Sequence, residues 1–300
     1  MPVGVIGLGN IAQKAYLPVL TALPGLDLRL MTRDREKLDR LGDAYRIRTP
    51  RRFTDLDALI DSGIRAAFVH APTERHAEIV ERLLTAGVDV LVDKPLSYRL
   101  AESRHLVGLA RQHGRSLMVG FNRRYAPAYT AALGRPRDLV VLQKDRRAGA
   151  GDVRTIVLDD FIHLVDTLRM LAPDGADGMH VHGRVDEDGG LRHVVLQLMG
   201  EGFTGLAVMN RASGSGSETL QTAGGDRRRE VHNLTEVIEH EDGEPALLRG
   251  GDWEPVGRRR GIEAMCRHFL DAGRGGVRLD AGDALETHEV CERVIEGLGG

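Results

Sequence analysis

The sequence predicts an α/β chain: a doubly wound parallel sheet over residues 1–120, followed over 121–300 by an α+β domain built on a mainly antiparallel sheet. Three observations predict it. The chain opens on an apolar run, Val3-Gly4-Val5-Ile6, that breaks into Gly7-Leu8-Gly9-Asn10-Ile11-Ala12, after which Ile11, Ala15, Tyr16, Val19 and Leu20 recur at helical spacing. Short apolar runs then alternate with helical stretches as far as Gly120. Beyond it helices become sparse, and strand-like runs are joined by Gly-rich and Asp-Gly turns.

Strand, glycine turn and helix form the geometry that seats a dinucleotide pyrophosphate on the exposed N–H groups of a helix N-terminus. Gly7 permits the tight turn, Gly9 lets the backbone approach phosphates, and Ala12 keeps the helix close to its strand. The chain holds 37 glycines, so isolated Gly-x-Gly triplets are expected by chance. A full Gly-x-Gly-x-x-Gly at Gly200, Gly202 and Gly205 lies between two strand-like runs, with no helix behind it, and reads as a hairpin.

Leu28–Met31 is the second strand, and Asp34 caps a helix through Leu38 and Leu41. Ala66–Val69 is the third, followed by a helix from Glu74 to Ala86 closed by Gly87. Val88–Val92 is the fourth, with a helix from Arg99 to His113 ending at Gly114, and Ser116–Val119 is the fifth. Ligands of such sheets bind beyond the strand C-termini. In the second domain one helix is expected from Ile156 to Leu171. Strands are expected at Val194–Met199, Thr204–Asn210, Glu218–Thr222 and Glu230–His240. Two helices close the chain, at 261–272 and 283–298, the last able to return to the first domain.

Composition narrows the function classes. An apolar fraction of 42% with 28% charged residues is that of a soluble globular protein. A net charge of −3 and 4% aromatics argue against a nucleic-acid partner, and Arg227–Arg229 and Arg258–Arg260 read as solvated charges. Cys266 and Cys291 have neither disulfide-framework nor zinc-knuckle spacing, and His180 and His182 lack acidic or cysteine neighbours, so no metal is expected. The N-terminus enters a strand directly and no run approaches the ~20 apolar residues of a membrane span, which makes the cytoplasm the expected compartment.

Several stations together resemble the Gfo/Idh/MocA family of oxidoreductases over nearly the whole chain. They are Gly7–Ala12, Ala71-Pro72-Thr73-Glu74-Arg75-His76, Asp93-Lys94-Pro95, and Asp159-Asp160-Phe161-Ile162-His163 with Asp166. Phe121-Asn122-Arg123-Arg124-Tyr125 resembles the family's domain junction, and the Asp-Asp-Phe-Ile-His-x-x-Asp string its MviM-like subgroup. The resemblance implies a Rossmann domain and an open-faced sheet domain, with NAD(P)-linked oxidation or reduction of a sugar- or polyol-like substrate in the cleft between them. It implies that Lys94 hydrogen-bonds the reacting oxygen and that His163 is the general acid/base, oriented by Asp159 or sharing the substrate with it. It further places Gly7, Gly9, Asn10, Ile11, Ala12, Ala71, Pro72, His76, Asp93, Lys94 and Pro95 at the cofactor, and Asn122 and Arg123 with Lys94, Asp159 and His163 at the substrate. Asp93 stands where the family more often has glutamate, and Phe161 where it has glycine.

NAD-selective dinucleotide folds carry an acidic residue at the end of the second strand. This chain has Thr32-Arg33 there, which suits a 2′-phosphate and points to NADP, while Asp34 would select NAD if the turn were shifted by two residues. The expected activity is hydride transfer at a carbon bearing a hydroxyl or carbonyl. The alternatives are transient use of the cofactor during elimination or epimerisation of a sugar, and a non-catalytic cofactor sensor. Open sheets of this kind bury a face against another subunit, so a homodimer or homotetramer through the C-terminal sheet is expected.

Overall fold

The apolar runs of the first half end within three residues of a glycine, a proline or a helix-capping aspartate. The computed structural model describes residues 1–241, 243–251 and 253–299. Its contacts divide the chain into two units: Met1–Gly120 with Ile262–Glu286, and Phe121–Gly261 with the segment from Thr287. The chain therefore leaves the first unit after Gly120 and re-enters it at Ile262, and the division falls within the last helix, Gly282–Gly297.

The first unit holds six strands: β1 (Pro2–Ile6), β2 (Asp27–Met31), β3 (Arg52–Phe53), β4 (Ala66–Val69), β5 (Asp89–Val92) and β6 (Leu117–Val119). They pair in parallel in the order β3-β2-β1-β4-β5-β6. Val5, Ala67, Phe68, Val90 and Leu91 are fully buried, as strands covered on both faces require. β3 was not expected, because two residues are too short for a periodic signal. Asp34 caps the helix Arg35–Ala44 by accepting from Lys37 N at 2.9 Å, and Asp55 caps Leu56–Asp61 in the same way from Ala58 N at 3.0 Å. The helix Ile262–Arg274, expected in the second domain, belongs here, with Phe269 edge-on to Phe68 at 5.3 Å.

The second unit is an eight-stranded sheet: β7 (Leu139–Asp145), β8 (Gly178–Val185), β9 (Leu191–Gly200), β10 (Phe203–Asn210), β11 (Ser217–Gly224), β12 (Arg227–His232), β13 (Glu236–Glu241) and β14 (Glu244–Arg249). The order is β14-β13-β12-β11-β7-β10-β9-β8, antiparallel except where β7 lies beside β10. Gly202, at φ +67, turns the β9–β10 hairpin, so the second glycine motif is a turn as expected. The single strand expected over Glu230–His240 is two, because Asn233 and Leu234 take φ of +52 and +59 and fold Val231 opposite Val237.

Two further expectations are corrected. The helix expected from Ile156 to Leu171 is Val153–Ile156, a widened π turn over Val157–Phe161, and Ile162–Leu171. The Arg227–Arg229 run lies on β12, where Arg229 is buried against Glu239, instead of in a solvated loop. His180 and His182 are exposed on β8. Among the described residues no helix is long and apolar enough to cross a membrane, and no cluster of three metal-ligating side chains occurs.

Candidate functional site

In the first unit the C-terminal ends of β1, β2 and β4 border a cleft of about 300 Å³. Gly7, Thr32, Arg33, Ala71 and Pro72 line it, five of the residues assigned to the cofactor from the sequence. Gly7 sits at φ +83, and a Cβ there would lie 2.5 Å from Ala71 N, so the turn admits glycine alone. A Cβ on Gly9 would meet open space, and Asn10 beside it is exposed. Ala12 is fully buried against the strand. Ile11, expected at the cofactor, is 46% exposed, an apolar side chain left at the loop. An open glycine N-terminus bordered by an uncovered apolar residue is a cradle that fits a dinucleotide. The same helix widens into a π turn over Ala12–Tyr16 just before Pro18, which has no N–H to continue the α ladder.

Asp34, the acidic residue that would select NAD if the turn were shifted, lines the same cleft. Asp34 caps its helix through Oδ1, and its Oδ2 lies 3.2 Å from Lys37 Nζ. The backbone N–H of Lys37 and its ammonium hold the carboxyl below the usual carboxylate range. The backbone N of Asp34 is 3.4 Å from Thr32 Oγ1. Arg33 is exposed and forms no ion pair among the described residues.

The turn after β5 holds Asp93, Lys94 and Pro95, with a cis peptide at Lys94-Pro95. Asp93 was expected at the cofactor, but its two oxygens face inward: Oδ1 accepts from Tyr16 Oη at 3.1 Å and Oδ2 lies 3.1 Å from His70 Nδ1. Burial pushes this carboxyl up, and the hydrogen bond and charge of His70, with the charge of Lys94, bring it below its ordinary value. His76, also expected at the cofactor, is buried with Nδ1 2.8 Å from Pro95 O and Nε2 2.9 Å from Ala71 O. Burial pushes its pKa down against those two acceptors. Each ring nitrogen faces a carbonyl oxygen, one from each loop, and the neutral ring donates to one of them at a time. His70 and Tyr16 were missed. The readable signal was a histidine directly after a buried strand, at the end where ligands bind.

In the second unit Asp159 and His163 are half-buried, the first on the π turn and the second at the start of Ile162–Leu171. Asp166 is 1% exposed and held by both Arg124 Nε (2.9 Å) and Thr287 Oγ1 (3.1 Å), a structural carboxylate. Asn122 and Arg123, expected at the substrate, bond internally. Asn122 Nδ2 donates to Arg260 O at 2.7 Å, and Arg123 forks onto Glu218 with two bonds of 2.6 Å.

A buried ion network around that fork was not foreseen. Lys144 on β7 directly faces Glu218 on β11 and binds Asp160 Oδ1 at 2.6 Å, while Arg146 grips Asp160 at 2.6 and 2.7 Å. Burial and the neighbouring Arg123 charge bring Lys144 down to about 8, despite Glu218 and Asp160. Burial raises Glu218, but Arg123, Lys144 and Tyr129 outweigh it and bring the carboxyl to about 2. This network grips Asp160, the residue next to Asp159. The first unit therefore carries a glycine cradle at the end of β1 and Lys94 after β5, and the second a pinned helix start with an acid and an imidazole.

Residues 1–121 match the family model described as "Oxidoreductase family, NAD-binding Rossmann fold", and residues 132–242 match "YceM-like, C-terminal domain". The putative oxidoreductase YceM of Salmonella typhimurium is 34% identical over 308 residues, covering 99% of this chain and 96% of that protein. The crystal structure of the dehydrogenase MviM from Clostridium difficile superposes with a TM-score of 0.93 at 28% identity, covering 99% of both chains. The NAD(+)-dependent scyllo-inositol 2-dehydrogenase of Bacillus subtilis is 25% identical, covering 91% of this chain and 86% of that protein.

Proposed function

This chain belongs to the Gfo/Idh/MocA family of NAD(P)-dependent oxidoreductases, and from that premise we propose that it prefers NADP and oxidises or reduces a hydroxyl- or carbonyl-bearing carbon of a sugar- or polyol-like substrate. The observation that carries the cofactor preference is the contrast between Asp34, whose two oxygens are engaged by Lys37, and Arg33, which lines the same cleft without an ion pair among the described residues. A guanidinium there pairs with a 2′-phosphate, and a threonine hydroxyl can bond it. The substrate class is supported by the relative named for scyllo-inositol.

A bound nicotinamide supplies the hydride acceptor or donor. The protein's own part falls to three side chains. Lys94 holds the reacting oxygen and stabilises negative charge on it. His163 exchanges the hydroxyl proton, its near-neutral imidazole being suited to transfer in either direction. Asp159 orients that ring or a substrate hydroxyl. Self-association through the eight-stranded sheet is part of the same proposal, since its terminal strand β14 is exposed along its whole length; light scattering at micromolar concentration should report a dimer or tetramer, and a monomer rejects this element.

Fluorescence titration with NADPH and NADH, followed by a panel of polyols and sugars monitored at 340 nm, tests the reading. NADPH should bind more tightly, and Arg33→Ala should weaken it by about 10- to 100-fold while leaving NADH nearly unchanged, the loss of one charge-assisted contact. Equal effects on both cofactors would reject the assignment. Turnover without net absorbance change would replace net redox by transient redox.

A further inference from the structure

We propose that His70 is a positioning residue for Lys94: together with Tyr16 it fixes the Asp93 carboxylate, so that the lysine is presented from a rigid turn beside a fixed anion. This rests on the reading of Lys94 as the group that holds the reacting oxygen, and adds to it the residues that set the lysine's charge.

The turn is clamped on both sides of Lys94. Before it, Asp93 N donates to Val69 O at 2.9 Å while the carboxylate is shared between Tyr16 and His70 at 3.1 Å each. After it, Pro95 O lies 2.8 Å from His76 Nδ1. The His70 side chain is fully buried, and its ring packs on Tyr16 with centroids 3.9 Å apart. Its Nδ1 faces a carboxylate that can only accept, so Nδ1 carries the proton, and Nε2 is left buried with no hydrogen-bond partner among the described residues. An apolar residue would fill this position without leaving a buried nitrogen unsatisfied. The imidazole is accounted for by the one bond it makes, to Asp93. The aspartate's shorter reach is consistent with this: its carboxylate sits back against Tyr16 and His70, within the fold.

The groups that face Asp93 are Tyr16 from the first helix, His70 after β4, His76 from the following helix, Lys94 on its own turn, and Cys266 from the helix Ile262–Arg274. Burial and Asp93 itself push the Tyr16 phenol and the Cys266 thiol up, so both stay neutral. Asp93 is then the anion, and Lys94 a cation that feels it. A neighbouring anion favours the ammonium form, so losing or displacing that anion must lower the lysine's midpoint.

The chain has only four lysines, Lys14, Lys37, Lys94 and Lys144, so 13C labelling at lysine Cε gives four signals that can be titrated in the full-length protein without substrate. The Lys94 signal is identified by its loss in Lys94→Arg. In Asp93→Asn the Lys94 midpoint should fall by about one pH unit. His70→Leu should fall part of the way. His70→Asn, whose amide N–H can stand in for Nδ1–H, should stay near the parent, and Tyr16→Phe gives a second, milder variant if His70→Leu does not fold. Lys14 and Lys37 serve as internal controls for an intact first unit. A Lys94 midpoint unmoved in Asp93→Asn and His70→Leu overturns the proposal, as does a His70→Asn variant that behaves like His70→Leu. Turnover of Lys94→Ala is read separately, so failure of the catalytic reading and failure of the positioning role are distinguishable.

Discussion

Lys94→Ala is expected to lower kcat by 10²- to 10⁴-fold on whichever polyol or sugar the panel identifies, with NADPH affinity changed less than about threefold. The size is that of losing one charge-stabilising group, the role proposed for Lys94. The split between kcat and cofactor affinity follows from position. Lys94 leaves the turn after β5, whereas the residues bordering the cleft come from the ends of β1, β2 and β4. His163→Ala should cost a similar factor and should flatten the pH dependence of kcat between about pH 6 and 8, since the group proposed to exchange the proton is gone. Stopped-flow and steady-state rates at several pH values check both. Retained turnover in either variant removes that residue from the chemistry.

Glu218→Gln is expected to destabilise the protein by about 3–5 kcal/mol, because it leaves the buried Arg123 guanidinium without its carboxylate. The melting temperature should drop by about 10 °C. The exposed pair Arg111–Asp280 supplies the control: its oxygens are 2.7 and 2.8 Å away, yet Asp280→Asn should cost no more than about 1 kcal/mol. Equal losses in the two variants would show that burial of the Glu218 network contributes nothing.

The acid limb gives an independent check. Glu218 ionises at about 2 in the fold against an ordinary 4.5, so its contribution is fully present above pH 4.5 and is lost as the pH falls towards 2. That contribution is on the order of 3 kcal/mol. Asp160, held below the carboxylate range by Arg146 and Lys144 against its burial, loses its share at still lower pH. Denaturant unfolding of the parent should therefore weaken between pH 4.5 and 2, and Glu218→Gln should show a shallower slope over the same window.

Much of the first unit was legible because its signals are local. An apolar run that breaks at Gly7 and Gly9, an aspartate three residues before the N–H it caps, and a glycine that closes a helix each act within a few residues. Such short-range physics survives in the sequence. The boundaries that failed are where local signals are weak or countermanded. β3 has only two residues, the turn at Asn233-Leu234 interrupts an otherwise continuous strand pattern, and the π turn lies inside a helix whose spacing looks regular.

By itself the sequence determined the dinucleotide cradle, the strand ends that carry Ala71 and Lys94, and the segment with Asp159 and His163. What those residues rest on was decided by tertiary structure alone. Asp93 meets a histidine 23 residues earlier and a tyrosine 77 residues earlier. Arg123 meets Glu218 across 95 residues, and Lys144 faces that same glutamate across two strands. A charged side chain announces only that it needs a partner, since desolvation makes an unpaired buried ion too costly. Which partner it finds depends on strand order and register, and these are set by packing over the whole unit.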